Sequence, residues 1–401
     1  MKEIPILRIP FSEDDSRALH QGWEQALQSG FLTLGNFTKR FEDLFREFTG
    51  ANYAVAVSNG TSALEIIIRS LGIEGKSIIV PTNTFLASAL AVAHAGNRVV
   101  FADSDPSTLG LDLEDVIRRI DDTTAAVMVV HIGGIISPAT EALRDLCDLR
   151  GLYLIEDCAH AHGSTLRGTH AGLLGAAGGF SFFPTKTLTT GEGGMIITDQ
   201  KAVYRTAQML RNHGKDSSLG GKMPEFGYNW RLSEITAVLG VQQMEKAQEI
   251  LADRRRIARF YDEALQEFKG LQPVELPADS TSSWYKYIAY LDVDFQRSEV
   301  KQLLKDKYGV SLSGEVYADL CHNELVWQNY TYCGKRRDGN GAGQCIRWPE
   351  CGCGDPQGQF PGAEYISQRH ICLPMYPGLN HEELEHVVES LDQVLNQDLG
   401  R

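Results

Sequence analysis

The sequence has no apolar run long enough to span a bilayer, which excludes a transmembrane helix. Its opening residues, MKEIPILRIPFSEDD, carry no extended apolar core, so no signal peptide is read there and the expected location is cytoplasmic. Positive charge is in deficit: 38 Lys and Arg stand against 52 Asp and Glu, a net charge of -14. That balance excludes nucleic acid and anionic membrane as main partners. It leaves room for a small anionic substrate, which one cluster of arginines and backbone amides can hold. No internal repeat is visible. Cysteine pairs at standard metal-knuckle spacing are also missing. Cys147 and Cys158 stand alone and read as buried small hydrophobes. Cys321, Cys333, Cys345, Cys351, Cys353 and Cys372 crowd the C-terminal part, four of them in YCGKRRDGNGAGQCIRWPECGCGDPQGQ. This run, around 331–358, is rich in glycine and polar residues and reads as a long irregular insertion. Its four cysteines could supply thiolates to zinc or an iron–sulfur cluster, but their spacing fits no recognised set. Reduced thiols and no metal are expected.

What is present is an ordinary globular balance, 43% hydrophobic and 22% charged over 401 residues. That length suits one large domain, residues 1–250, and a smaller C-terminal α+β domain, residues 251–401. Ser12 starts an amphipathic helix over 12–29, and Gly50 stops another over 38–49. Strands and helices then alternate. YAVAV, SIIVP, RVVFAD, AAVMVVH and LYLIED are strands, and helices run over 61–71, from Phe85 to Gly96, over 111–120 and over 139–150. The strands are nearly continuous apolar runs, as in an α/β fold with a mainly parallel sheet buried on both faces by helices. Beyond residue 230 come long charged helices, among them ADRRRIARFYDEAL, whose triple arginine reads as a solvated face. The run WYKYIAYLDVD reads as an alternating strand.

In such sheets ligands bind where strand ends meet helix starts. Three junctions carry chemistry. At SNGTSAL, Gly60 and Thr61 open a helix, where free N–H groups, the helix dipole and a hydroxyl make a phosphate cradle, or simply a capped helix start. LYLIED ends in Asp157, a carboxylate that needs a cationic or N–H partner, a protonated pyridine nitrogen being one; a loop cap is the plain alternative. In GGFSFFPTKTLTTGEGG, Lys186 stands five residues after Ser181, between an aromatic strand and an acidic glycine turn that leads into MIIT. A lysine there either snorkels to solvent from a turn or loses its water. In the second case its pKa falls and the amine becomes a nucleophile toward carbonyls. Cradle, strand-end carboxylate and lysine, in that order, describe a pyridoxal 5′-phosphate site.

The stretches AVAVSNGTSAL, VPTNTFLASA, IEDCAHAHG, FSFFPTKTLTTGEGG, RNHG and GYNWRLSE resemble the DegT/DnrJ/EryC1/StrS family of aminotransferases. Similarity is close over about residues 20–320. The resemblance implies the aspartate aminotransferase fold (type I) and amino transfer from glutamate or glutamine to a keto sugar on a nucleotide. A smaller group of members acts on keto-cyclitols. It also implies Lys186 as the Schiff-base lysine, Asp157 on the pyridine nitrogen, Phe85 stacked on the ring, and Gly60, Thr61 and Ser181 on the phosphate. Asn229, in GYNWRLSE, would reach that phosphate from the neighbouring subunit, so a homodimer with shared sites is implied. Glu192, His213 and Arg231 would lie toward the substrate; Arg211 and Arg231 are also ordinary surface arginines in type.

One position departs from the family. Where glutamine is usual, three residues after the aspartate, this chain has His160 in DCAHAHG. Beside the ring oxygen a histidine still donates a hydrogen bond, and its charge is expected to vary near neutral pH; away from the cofactor it is a packed core residue. Histidine here is similar to cyclitol-type members, which keeps a keto-cyclitol acceptor open. A keto-sugar dehydratase of the same fold carries histidine in place of the lysine, so Lys186 argues against it. A cofactor-bound regulator would need a nucleic-acid module that is not seen.

Overall fold

The computed structural model describes residues 3–329 and 358–400. Cys333, Cys345, Cys351 and Cys353, and with them the expected insertion apart from Gly358, lie outside those residues. Cys147, Cys158, Cys321 and Cys372 are buried and free. Among the described residues no helix is long and apolar enough to cross a membrane.

The first strands are β1 (Tyr53–Val57), β2 (Ser77–Pro81), β3 (Arg98–Ala102), β4 (Thr124–Val130) and β5 (Tyr153–Asp157). A short hairpin, β6 (Thr165–Leu166) and β7 (Thr169–His170), precedes β8 (Ala177–Ser181) and β9 (Gly194–Thr198). Seven of these form one sheet in the order β1-β9-β8-β5-β4-β2-β3. Only β9 runs antiparallel to its neighbours, so the carboxyl ends of β1, β4, β5 and β8 share one edge. Helices cover both faces. Ile66, Ile67 and Ile68 of the helix Gly60–Ser70 all lie out of water, against the sheet and the helices beside it. The first helix, Glu13–Ser29, is opened by Ser12 in a reciprocal cap with Asp15. The second, Asn36–Thr49, has no cap of its own; the buried Glu234 carboxylate accepts from the N–H groups of Gly35 and Thr38 and from the Thr38 hydroxyl.

A second antiparallel sheet joins β10 (Leu271–Pro273), β12 (Tyr287–Leu291) and β13 (His370–Leu373), while β11 (Ser280–Thr281) pairs back onto β6. Here two expectations change. All five residues of β12 are buried. Tyr287, Ala289 and Leu291 enter one apolar core, and Ile288 and Tyr290 enter another against Val130 and Ile132. The alternation is between two cores, not between core and water.

The triple arginine is a solvated face only in part: Arg256 is exposed and Arg255 half-buried, but Arg254 is not. Arg254 is 2% exposed, and its Nη1 donates to the carbonyls of Trp284 (2.8 Å) and Met375 (3.1 Å). Helical period turns one residue in three or four of ADRRRIARFYDEAL inward, and this arginine takes that place because two buried carbonyls need a donor. Replacing Arg254 by Met strands both. We expect a loss of about 2–4 kcal/mol in urea unfolding, with an unchanged m-value. The exposed Arg259→Met should stay within about 0.5 kcal/mol. Equal effects of the two changes would contradict this role.

Candidate active site

Three strand ends converge on one cavity of about 330 Å³, lined by Gly60, Thr61, Phe85, Asp157, His160, Ser181, Lys186 and Glu192 among others. Asn59, at the end of β1, caps the helix that follows: its Oδ1 accepts from Ser62 N–H, and the Ser62 hydroxyl accepts in return from Asn59 N–H. The first intrahelical bond is Ala63 N–H to Asn59 O, which leaves the N–H groups of Gly60 and Thr61 ahead of the helical ladder. Glycine is required at residue 60, because a Cβ there would stand 2.8 Å from the Ser181 Cβ. The helix start and the end of β8 are therefore pressed together, with the Thr61 and Ser181 side chains on the same cavity.

Asp157 ends β5 nearly out of water. Its Oδ2 accepts from Ser88 Oγ at 2.7 Å and its Oδ1 from Ala159 N–H at 3.0 Å. Thr84 in turn hydrogen-bonds the Ser88 hydroxyl at 3.0 Å. Burial still pushes the Asp157 carboxyl upward, against those hydrogen bonds and the nearby charge of Lys186. Lys186 sits on the turn after β8, its N–H bonded to Phe183 O and its Nζ 4.8 Å from the centre of the Tyr285 ring. Burial lowers its pKa to about 8; Asp157 opposes this and Lys286 assists it.

His160 is buried. Gly133 N–H donates to its Nδ1 at 3.3 Å, its Nε2 lies 3.1 Å from the Tyr317 hydroxyl, and its ring stacks on Tyr285 at 4.1 Å. Burial, then the charges of Lys186 and Lys286, push it well below the usual imidazole range. The expectation that its charge varies near neutral pH is therefore corrected: enclosed beside two cations, it stays neutral. Phe85 precedes the helix Leu86–His94, 61% exposed, its ring 6.0 Å from that of Tyr317.

Other expected residues stand apart in the single chain. Asn229 and His213 are exposed on the segment between the helices Lys201–Leu210 and Glu234–Glu245, where a single antiparallel bridge pairs Asn212 with Asn229. Arg231 Nη1 donates to Asn212 Oδ1 at 2.8 Å. Arg211 is committed elsewhere, buried against Glu42 and the Ala56 carbonyl. Sequence reading passed over Tyr285, Tyr317, Thr185 and Ser88. Tyr285 had a signal, the aromatic cluster SSWYKY, and Ser88 another, a hydroxyl in an otherwise small and apolar helix. Tyr317, in EVYADL, had none.

The cavity suits pyridoxal phosphate on two counts. The first turn of a helix and two hydroxyls form a dianion cradle from which a Cβ is excluded, and the buried carboxylate keeps lone pairs for an N–H cation. When bound, the group supplies a carbonyl that an amine can attack and a protonated ring that withdraws electrons.

A sequence profile of the DegT/DnrJ/EryC1/StrS aminotransferase family matches residues 13–338 and 347–392, and the chain belongs to that family. It is a pyridoxal phosphate-dependent sugar aminotransferase. It is 38% identical over 400 residues to GDP-perosamine synthase of Vibrio cholerae, covering 98% of this chain and 99% of that one. To the dTDP-3-amino-3,4,6-trideoxy-alpha-D-glucose transaminase of Micromonospora megalomicea it is 29% identical, covering 93% of each. Among solved structures, S. venezuelae DesV superposes with a TM-score of 0.85 at 27% identity, over 98% of this chain and 99% of that one.

The charges around Lys186 fix the direction of three changes. In protein freed of cofactor, labelling of Lys186 by an amine reagent should be half-maximal near pH 8, the value to which burial lowers the amine, to about 8. Asp157→Asn removes a charge that raises the pKa, so the midpoint falls. Lys286→Met removes one that lowers it, so the midpoint rises. His160→Gln exchanges one neutral group for another and should leave it in place. Peptide mapping of the labelled lysine against pH decides all three.

Proposed function

We propose that this enzyme moves an amino group from glutamate or glutamine to the ketone of a nucleotide-linked sugar, in the cytoplasm, as a homodimer with shared sites. One observation carries the reading: a lysine amine, a buried carboxylate and a helix-start cradle line the same cavity. Lys186 is the catalytic residue: its uncharged amine would bond the cofactor's carbonyl carbon with loss of water, the donor's amine would take its place there, and the Nζ so released would move the proton at the reacting carbon. Asp157 keeps a proton on the ring nitrogen. Gly60, Thr61 and Ser181 hold the phosphate, Phe85 covers the ring, and His160 packs beside it. Glu192, which lines the cavity, meets the substrate, and His213 and Arg231, which stand apart from the cavity of their own chain, would meet substrate only in the assembled dimer.

The relatives named GDP-perosamine synthase favour a GDP-linked keto sugar as the first acceptor to try, with dTDP-linked sugars next. His160 keeps a keto-cyclitol acceptor as the second reading. Purified enzyme is incubated with glutamate or glutamine and a panel of GDP- and dTDP-linked keto sugars and inososes, and mass spectrometry reads which acceptor gains nitrogen. Transfer to a nucleotide-linked sugar is expected; transfer to inososes alone selects the second reading. Lys186→Ala should abolish transfer, and borohydride should fix the cofactor to the peptide holding Lys186. A Lys186→Ala enzyme with near wild-type turnover defeats the whole assignment.

The exposed position of Asn229 supports a role across a subunit boundary. If Asn229 completes the partner subunit's phosphate site, Lys186→Ala and Asn229→Ala homodimers each carry one lesion per site. Subunit exchange between them makes about half of all dimers mixed and about a quarter of all sites intact, given two-fold symmetry. Activity should therefore reappear on mixing. If mixing two impaired variants restores nothing, Asn229 acts within its own chain.

A further inference from the structure

Tyr317 borders the cavity beside Phe85 and His160, and its hydroxyl has a proton whose direction can be deduced. The deduction starts from a backbone group that cannot reverse its role. Gly133 N–H is a donor, so the His160 Nδ1 it meets at 3.3 Å is an acceptor and carries no hydrogen. A neutral imidazole must then bear its hydrogen on Nε2. That hydrogen faces the Tyr317 oxygen at 3.1 Å, so the tyrosine accepts from His160 and its own O–H proton points elsewhere. Among the described residues no acceptor takes that proton, and the wall it borders is the cavity. The tyrosine is held un-ionised, its pKa raised by burial, so the proton stays on oxygen across the working range.

The donor at the head of this chain is itself built in. Gly133 has φ +66°, in the left-handed region, and a Cβ there would stand 2.6 Å from Ile288 Cδ1. Only glycine turns its N–H to His160 at that place without strain.

We propose that Tyr317 donates this proton to an oxygen of the acceptor sugar, as a specificity-determining contact, with His160 acting behind it as a positioning residue. The inference rests on the keto-sugar reading above and adds the group that reads an oxygen on the sugar. A sugar hydroxyl or carbonyl fits, being able to accept; a C–H at the same place would leave the donor unsatisfied in a closed site, so deoxygenation there is disfavoured.

Two measurements test it on cofactor-loaded protein. Nitrogen-15 NMR of histidine-labelled enzyme, with His160 assigned by comparison with His160→Gln, should show the hydrogen on Nε2 and none on Nδ1. The opposite tautomer overturns the proposal, because Tyr317 would then donate to His160. Tyr317→Phe should raise KM for the keto sugar about tenfold, the ratio given by about 1.4 kcal/mol, and leave the half-reaction with the amino donor and the bound cofactor absorbance unchanged. An unchanged KM, or a loss confined to the donor half-reaction, overturns it. A wild-type enzyme that aminates no keto sugar defeats the functional reading as well; one that aminates it with Tyr317→Phe indistinguishable defeats this inference alone.

Discussion

The structure depends on keeping an amine and a carboxylate out of water in one cavity. Such a pair is costly unless each charge finds compensation, and the two ends of the problem are solved differently here. Asp157 receives a hydroxyl and a backbone N–H, with Thr84 behind that hydroxyl. Among the described residues the Lys186 ammonium has no such partner beyond the Tyr285 ring face and the field of Asp157, so part of the cost appears as a pKa lowered to about 8. The residue before Asp157 shows what full compensation looks like. Glu156 points to the opposite face of β5 and accepts from His131 Nε2 and from the N–H groups of Gly172, Leu174 and Gly175, all within 2.9 Å. With His131 and Cys158 it makes a compact group of metal-ligand types, yet its oxygens are already taken, and burial pushes the Cys158 thiol well up. One acid of the pair ED is structural; its neighbour faces the chemistry.

Close backbone approach is the second condition, and small residues meet it. Beyond Gly60 against Ser181, a Cβ on Gly194 would fall 2.3 Å from Asn59 O, a backbone atom that cannot step aside. These two contacts bring β1, β8 and β9 close enough for the helix start at Gly60 to reach the lysine turn. Register completes the arrangement: Ser181 and Val57 both pair with Gly194, and Asp157 pairs with Gly179.

These relations explain which features could be read from residues alone. Strands buried on both faces announce themselves as apolar runs, so β1 to β5 and β9 were legible to within a residue or two, as was the helix that Ser12 caps. The start of the helix Asn36–Thr49 was read late, at 38, because its cap is Glu234, nearly two hundred residues away. Arg254 was misread for a related reason: its acceptors, Trp284 O and Met375 O, lie on distant segments. At the site, the lysine, the carboxylate and the cradle follow strand ends and so carried local signals. Tyr285 and Tyr317 arrive from the edge of the second sheet and a neighbouring loop; the aromatic cluster SSWYKY marked the first only as part of a strand, and nothing in EVYADL marked the second. The histidine at 160 was visible, but its protonation was not, since that is set by Lys186, Lys286 and enclosure.

The two tyrosines share a further property that ties the second sheet to the cavity. Each lies one residue past a buried polar anchor. Arg254 holds the Trp284 carbonyl just before Tyr285, and His370 Nε2 accepts from Val316 N–H at 2.8 Å just before Tyr317. Both anchors keep one protonation state around neutrality. Burial lowers Arg254 only to about 10, so it stays charged, and lowers His370 to about 4, so it stays a neutral acceptor. Tyr285 then stacks on His160 and reaches Thr185 Oγ1 at 3.2 Å, next in sequence to Lys186. The wall built by these groups therefore holds its hydrogen-bond pattern while the medium passes through pH 7 to 9. Of the groups in this chain of contacts, only the Lys186 amine is brought to a pKa in that window, so it can change charge without the wall around it changing shape.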